Sequence, residues 1–534
     1  MAPVIVVGAG PVGQTTALLL ARWQVPVLLL DEQPRRVPVG SKAICQQRDV
    51  LDIWESVGVG AQLAAEGVTW SEARIFWKSS EIASWRFVDR GTSPFPPFVN
   101  ISQARTEQLL DEAIAASPLI DVRRGHQVVG IQQDQSGVQV ECQAEGRTVT
   151  FDGTYGVCCC GTRGAELRNR LGVEFPGESY GDRFLICDIR ADLGDWTHER
   201  RFYFDPPWNP GRQVLIHACP DSTYRIDWQV PVDFDLTVEE QSGGLRRRIE
   251  EIVGTAPYEV VWRSVYRFQA RVASQFRVGR VFLAGDMAHL VAPFGARGLN
   301  SGVMDAENIA WKLAFVLNGW SRPELLDTYD LERRAAALEN LAVTEETMRF
   351  LVPGGADDAR ARRDALSAAA NDPAQWHRVN SGRFAEPYWY VDSPLTTHDP
   401  SRPVACRPDL GHTSAAAPGV VIPDVRVATE SGWLRRIARD GLLLLVANAS
   451  DERSVQAVAS QMTGVPVNVA SLQTLDPLGE LSEVLHARPG EIWIVRPDAY
   501  IAAIATDIRE QLPAAIARST RCSATTGIAV GPNG

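Results

Sequence analysis

Lysine is nearly missing from this chain. Of its 53 basic residues only Lys42, Lys78 and Lys312 are lysine and the rest are arginine, a bias of the kind that GC-rich coding produces. No Lys/Arg-rich run longer than Arg246-Arg247-Arg248 occurs, and acidic residues outnumber basic ones 65 to 53. A nucleic-acid partner is excluded on that ground, since phosphate binding needs a basic patch. Also missing is any apolar run near the roughly 18 residues that a transmembrane helix requires. The apolar residues 4–7 are interrupted at once by glycine, which makes the N-terminus a core strand rather than a signal peptide. A cytoplasmic protein with no membrane partner is expected. Nine cysteines include no CxxC pair, which excludes a zinc site and a dithiol centre. The adjacent Cys158, Cys159 and Cys160 would close strained rings, so the first two read as small hydrophobes of a buried strand.

What is present begins with Gly8-Ala9-Gly10-Pro11-Val12-Gly13, which follows an apolar strand and opens a helix. Gly8 makes the tight turn, Gly10 lets the backbone approach a pyrophosphate, and Gly13 allows close helix–strand packing. The helix N-terminus offers unpaired N–H groups to the anion. A second strand, residues 26–30, ends at Asp31 and Glu32, where a carboxylate meets adenosine ribose hydroxyls. This unit predicts a dinucleotide without separating FAD from NAD.

A second segment, residues 285–300, carries the distinction. Residues 281–284 read as a strand, Gly285-Asp286 as its end, and the turn from Gly295 through Gly298, Leu299 and Asn300 as the opening of a helix over 301–317. An aspartate at a strand end followed by a helix N-terminus suits a ribityl hydroxyl, a phosphate and the polar edge of a flavin. With Gln103, Glu107 and Leu110, and with Asp305-Ala306-Glu307-Asn308, these motifs resemble the class A, single-component FAD-dependent aromatic hydroxylases, which include the phenol hydroxylases. The resemblance covers residues 1–350.

That resemblance implies an α/β fold: a Rossmann-like FAD-binding domain, an inserted antiparallel sheet that holds substrate, and a C-terminal thioredoxin-like domain. It implies FAD as cofactor and NAD(P)H as a transient electron donor, since no second glycine-rich dinucleotide unit occurs. O2 and a small phenolic or related aromatic substrate complete the reaction, through a flavin C4a-hydroperoxide. Lys42, Val128, Gly161 and Pro293 join the flavin contacts by the same resemblance. Lys42 stands where the family usually has arginine, a point charge without bidentate geometry. Cys160-Gly161 stands where it has Asp-Gly, which puts efficient use of NAD(P)H in question.

Between the motifs, residues 184–190, 200–204, 213–217 and 224–230 alternate as strands. Tyr224, Ile226 and Trp228 share one face, and Arg225, Asp227 and Gln229 the other. Arg225 resembles the family's arginine that steadies the moving isoalloxazine. Asp227 and His217 are candidates to orient or deprotonate a phenol, against the alternative of a solvated strand face. His289 reads as structural.

The domains are then expected at 1–180 with 265–350 for FAD, 181–264 for substrate, 351–418 as a helical and turn-rich connector, and 419–522 as a thioredoxin-like unit. Residues 325–341 read as the helix closing the catalytic unit. The tail lacks CxxC, so packing or homodimerisation is its expected role, and residues 522–534 are expected to be disordered. Other flavin enzymes of this fold are the alternatives: an oxidase, a halogenase, whose Trp-x-Trp-x-Ile-Pro segment is not found here, or a flavin protein with impaired turnover.

Overall fold

The computed structural model describes residues 1–36, 43–86, 93–404, 415–429, 432–462, 464–476 and 479–522. Lys42 therefore lies outside the described residues, as do residues 523–534. Cys522, expected to be disordered, is buried against the C-terminal core.

Three sheets organise the chain. The first has six strands in the order Arg277–Val278, Val281–Leu283, Gly156–Cys158, Val4–Val7, Val27–Asp31, Ile120–Arg124, all pairings parallel except the first. Its strands are short and wholly apolar at the centre, as expected for a parallel sheet covered on both faces. Val4, Ile5, Val6, Cys158 and Leu283 are buried in one core, and Cys159 joins them, so these two cysteines pack as hydrophobes. The helices Pro11–Arg22 and Arg297–Leu317 pack on each other beside this sheet.

The second sheet has eight strands, ordered His289–Leu290, Tyr258–Val272, Gly177–Ala191, Thr223–Val230, Gln213–Cys219, Glu199–Phe204, Glu72–Trp77, Ser80–Arg86. It is not confined to residues 181–264. Two strands come from residues 72–86, and the 15-residue strand Tyr258–Val272 runs on past residue 264 to the Gly-Asp segment. Nor is it purely antiparallel, because Glu199–Phe204 pairs with Glu72–Trp77 in parallel. One face packs Tyr224, Ile226 and Trp228 into a core of their own.

The third sheet, Val467–Ser471, Leu442–Val446, Ile492–Val495, Ile501–Ala505, lies in the C-terminal part. Its first pairing is parallel and the other two antiparallel. Between it and the glycine loops runs the helix Asp327–Leu351, ten residues longer than the 325–341 pattern at its C-terminal end. No helix among the described residues is long and apolar enough to cross a membrane.

Candidate active site

Four adjacent strands of the first sheet end side by side, and each end carries a residue singled out by sequence. Gly8 follows Val7, Cys160 and Gly161 follow the strand ending at Cys158, Asp31 closes its strand, and Gly285 follows the strand ending at Leu283. Ligands of open α/β sheets bind beyond these carboxyl ends. At Gly13 a Cβ would lie 1.9 Å from the Gly8 carbonyl oxygen, so only glycine lets the helix start this close to the loop. At Gly10 a Cβ would meet nothing within 4 Å, which leaves a cradle open above the helix N-terminus. Gly10 caps that helix without any side-chain bond, so the first-turn N–H groups remain free for an anion. These observations fit a dinucleotide pyrophosphate.

The two carboxylates after the second strand divide their tasks. Asp31 accepts from the Ala9 N–H at 2.7 Å and from the Gln33 N–H at 2.8 Å, so it braces the glycine loop. Glu32 is half-buried beside it and pairs with Arg163 at 2.5 Å. Gln103 opens the helix Gln103–Ala115, accepts from the Ala43 N–H at 3.1 Å and donates to Glu107 at 2.8 Å. Arg36, which sequence reading missed, ties the Ala9 carbonyl at 3.0 Å to Glu107 and Asp111 of that helix. Val128 is half-buried on Gln127–Gln133 and packs against the main core.

Val12 joins the two distant motifs. Its side chain fills the space where a Cβ on Gly285 or Gly302 would stand, at 3.0 and 2.6 Å. The downstream helix starts at Arg297, so Gly298, Leu299 and Asn300 lie in its first turn and not before it. Its N-cap Ala296 offers no side-chain bond, and a Cβ on Gly298 would meet nothing within 4 Å. Pro293 is exposed in the loop before it, while Gly295 presses against the Arg383 carbonyl. The Asn300 side chain is occupied by backbone, accepting from the Gln47 N–H and donating to the Cys45 and Ala296 carbonyls. Asp286 is half-buried at the strand end.

Asp305 fixes the Gly-Asp turn from beneath. It accepts from the Gly285 N–H at 3.0 Å, His289 at 2.7 Å and Arg333 at 2.7 Å. His289 is thus buried scaffolding. Burial alone would raise the Asp305 pKa, but His289 and Arg333 hold it below the ordinary value.

The polar face of the second sheet is largely withdrawn from solvent: Arg200, Arg225 and Gln229 are buried, and His217 and Asp227 are half-buried. Its register sets Asp188, Arg225, His217 and Arg200 in one row across four strands. Arg225 forms a bidentate pair with Asp188 at 2.7 and 2.8 Å. Asp227, one step along, has Oδ2 3.9 Å from His217 Nε2 and a buried Oδ1 with no hydrogen-bond partner. Burial, and next the charges of Arg200 and Arg225, drive the His217 pKa well below its ordinary value, so it is neutral. Burial dominates at Asp227 as well and raises it to about 7. The same face carries Phe184, Phe202 and Phe204, and Phe294 of the loop after the Gly-Asp turn packs at 5.6 Å on Phe184. Residues 381–385 cover the row: Arg200 donates to the Ser381 carbonyl, Gln47 to the Ala385 carbonyl, and Arg297 of the flavin-side helix to Arg383 and Phe384.

Cys160 has no carboxylate to offer, and the nearby Arg168 is buried with its Nε unpartnered among the described residues, its guanidinium donating to Met287 and lying 3.8 Å over the Phe175 ring. Arg200 itself was read only as the first residue of a strand. The alternation that singled out His217 and Arg225 would have placed it on their face, but only the register puts it beside His217.

Residues 1–344 match the family described as FAD binding domain. The chain is 28% identical over 377 residues to a 3-(3-hydroxy-phenyl)propionate/3-hydroxycinnamic acid hydroxylase of Comamonas testosteroni, covering 69% of this chain and 62% of that one. It therefore spans less than two thirds of that relative's length. It is 27% identical over 522 residues to the 6-methylpretetramide 4-monooxygenase of Streptomyces rimosus, covering 94% and 90% of the two chains. The crystal structure of the flavin-dependent monooxygenase PieE in complex with FAD and substrate shares the fold, with a TM-score of 0.83 over 97% of this chain and 99% of that chain at 24% identity. Matched from residue 1 to residue 344 of 534, the chain belongs to the FAD binding domain family, and its cofactor is FAD.

Proposed function

We propose that the protein is an FAD-dependent monooxygenase that hydroxylates a phenolic or related aromatic substrate, using NAD(P)H and O2. One oxygen atom enters the ring and the other leaves as water, with NAD(P)H supplying the two electrons. FAD, when bound, supplies the chemistry that takes those electrons and activates oxygen. The glycine loop, Glu32 and the Arg297 helix N-terminus would hold it. The carrying observation is the Asp227–His217 pair, half-buried on the sheet face that also carries Phe184 and Phe202 and against which Phe294 packs.

The protein's own part follows from that geometry. Asp227, with one unpartnered oxygen and a pKa of about 7, accepts the phenol proton and so enriches the ring in electrons. Neutral His217 stays a hydrogen-bond partner for Asp227 or for the phenol oxygen. Arg225, locked on Asp188, presents a fixed positive charge on the same sheet face. Phe184, Phe202 and Phe294 keep water from the reacting centre. The name of the Comamonas testosteroni relative supports a phenolic ring.

We read the C-terminal sheet as a thioredoxin-like unit on its strand order and directions, with a packing role on the FAD-binding part. The observation at Cys160 favours a second reading, a flavin protein whose reduction is slow. Oxidation of NADH and NADPH by the FAD-loaded protein, with and without phenols of one to four rings, separates the two. Phenol-stimulated oxidation with a product one oxygen heavier is expected. Absence of stimulation with either donor contradicts the hydroxylase.

A further inference from the structure

Arg200 has no role in the chemistry above, yet it is one of the most costly residues on this sheet face to bury. Its side chain is 5% exposed, and its Nε has no hydrogen-bond partner. One bond, from Nη2 to the Ser381 carbonyl at 3.3 Å, is all that its guanidinium makes among the described residues. No carboxylate of those residues forms an ion pair with it. Asp188, at the far end of the same row, is taken by Arg225, and Asp227, the acid whose charge reaches Arg200, approaches His217 instead. Burial lowers the Arg200 pKa to about 10, the direction expected of a cation without a close counter-ion. The rings of Trp70, Phe202 and Phe384 surround it at 5.4 to 6.0 Å, near the outer limit of about 6 Å for cation–π attraction, so they replace little of the lost hydration.

A buried guanidinium with spare donors is completed by an anionic oxygen. Its position decides where that oxygen belongs. Arg200 stands directly across from His217 in the strand register, on the face that carries Asp227. Of the aromatic rings beside it, Phe98 and Phe384 stack in parallel and Trp70 packs tilted against both, so together they form an apolar wall. Resting on the hydroxylase reading, we propose that the substrate is an aromatic ring bearing an anionic oxygen, a carboxylate or an ionised acidic phenol, and that Arg200 binds this group while Asp227 and His217 receive the reacting hydroxyl. Arg200 would thereby select acidic aromatics over neutral ones of the same shape.

The test is binding without an electron donor. The FAD-loaded protein is titrated, by perturbation of the flavin spectrum, with 3-hydroxybenzoate, 6-hydroxy-2-naphthoate and 1-hydroxyanthraquinone-2-carboxylate, each beside its methyl ester. 4-Nitrophenol is titrated below and above its own pKa, which tells a phenolate from a carboxylate. A charge-assisted hydrogen bond predicts about 10- to 100-fold tighter binding of the acid or the phenolate than of its neutral partner. Arg200→Met should erase that preference and Arg200→Lys should keep part of it, with FAD content and melting temperature of both variants checked against the parent. Equal affinity for charged and neutral partners, an undiminished preference in Arg200→Met, or failure of every probe to bind overturns the inference. Because no turnover is involved, a protein that prefers acids but yields no hydroxylated product refutes the hydroxylase and spares Arg200. A hydroxylase active only on neutral rings does the reverse.

Discussion

A phenol gives up its proton only to a group that is ionised at the working pH and within reach, and burial raises Asp227 to about 7, which fits the base that the proposed hydroxylation requires. The sign follows directly. Asp227 is the base only when deprotonated, so kcat/KM should rise with pH through about 7 and fall about tenfold per pH unit below it. Asp227→Asn should lower kcat by roughly 10²- to 10⁴-fold and remove that acidic limb, as read from pH profiles on a substrate that turns over. An unchanged profile would assign the proton to another group. Gly13 offers a second test at the same scale. The 1.9 Å approach of a Cβ to the Gly8 carbonyl means that Gly13→Val must push helix and loop apart, at about 1–3 kcal/mol. Loss of FAD on gel filtration and a lower melting temperature are the expected readouts.

At the scale of elements, the strand that ends at Cys158 is followed by Cys160-Gly161, where the sequence resemblance leads one to expect Asp-Gly. Arg168, buried with an unpartnered Nε, is the partner that a carboxylate at position 160 would have. Cys160→Asp should therefore raise the melting temperature and accelerate flavin reduction by NAD(P)H in stopped flow; a slower reduction would show that cysteine serves this site. The elements also show what sequence could carry. Strand–turn–helix units are local, so the glycine loop, the Gly-Asp turn and the strands around Arg225 were legible from spacing alone. The alternation of Tyr224, Ile226 and Trp228 with Arg225, Asp227 and Gln229 separated two faces correctly. It could not tell a wet polar face from a buried one, because the cover comes from residues 381–385, more than 150 positions later in the chain. The same distance hid Arg200, whose meaning depends on register with His217. The task of Asp31 was hidden for a different reason. Only the fold shows that its oxygens are taken by the Ala9 and Gln33 N–H groups, which leaves the half-buried Glu32 at the strand end.

At the scale of the whole molecule, the seam between the FAD-binding part and the C-terminal sheet combines an apolar core, where Trp311, Phe315 and Leu325 pack against Leu442, Leu444 and Ile494, with a network of buried charges. Arg439 reaches Glu307 at 2.7 Å and Asp52 at 2.5 Å, Arg435 reaches Asp49, and Arg436 reaches Glu55. Arg496 pairs with Glu332 at 2.5 and 2.9 Å and with Asp498, and Lys312 adds to Glu332 at 2.7 Å. Burial would raise the Glu332 pKa, but Arg496 and Lys312 hold it well below the usual carboxylate range. Tyr390 links this cluster to Arg333, and Arg333 to Asp305 under the Gly-Asp turn. Removing one member of a buried pair costs about 3–5 kcal/mol, because the other charge is left uncompensated. Arg496→Met should accordingly lower the melting temperature and weaken FAD retention together. Destabilisation with FAD affinity intact would show that the seam supports folding alone.

The central claim is that this chain places one atom of molecular oxygen on an aromatic ring. Turnover of an accepted phenol under ¹⁸O2, with NAD(P)H and the FAD-loaded protein, tests it most directly by mass spectrometry of the product. One ¹⁸O per hydroxylated ring is the predicted result; oxygen drawn from water, or an unmodified ring with peroxide as the sole product, would contradict it.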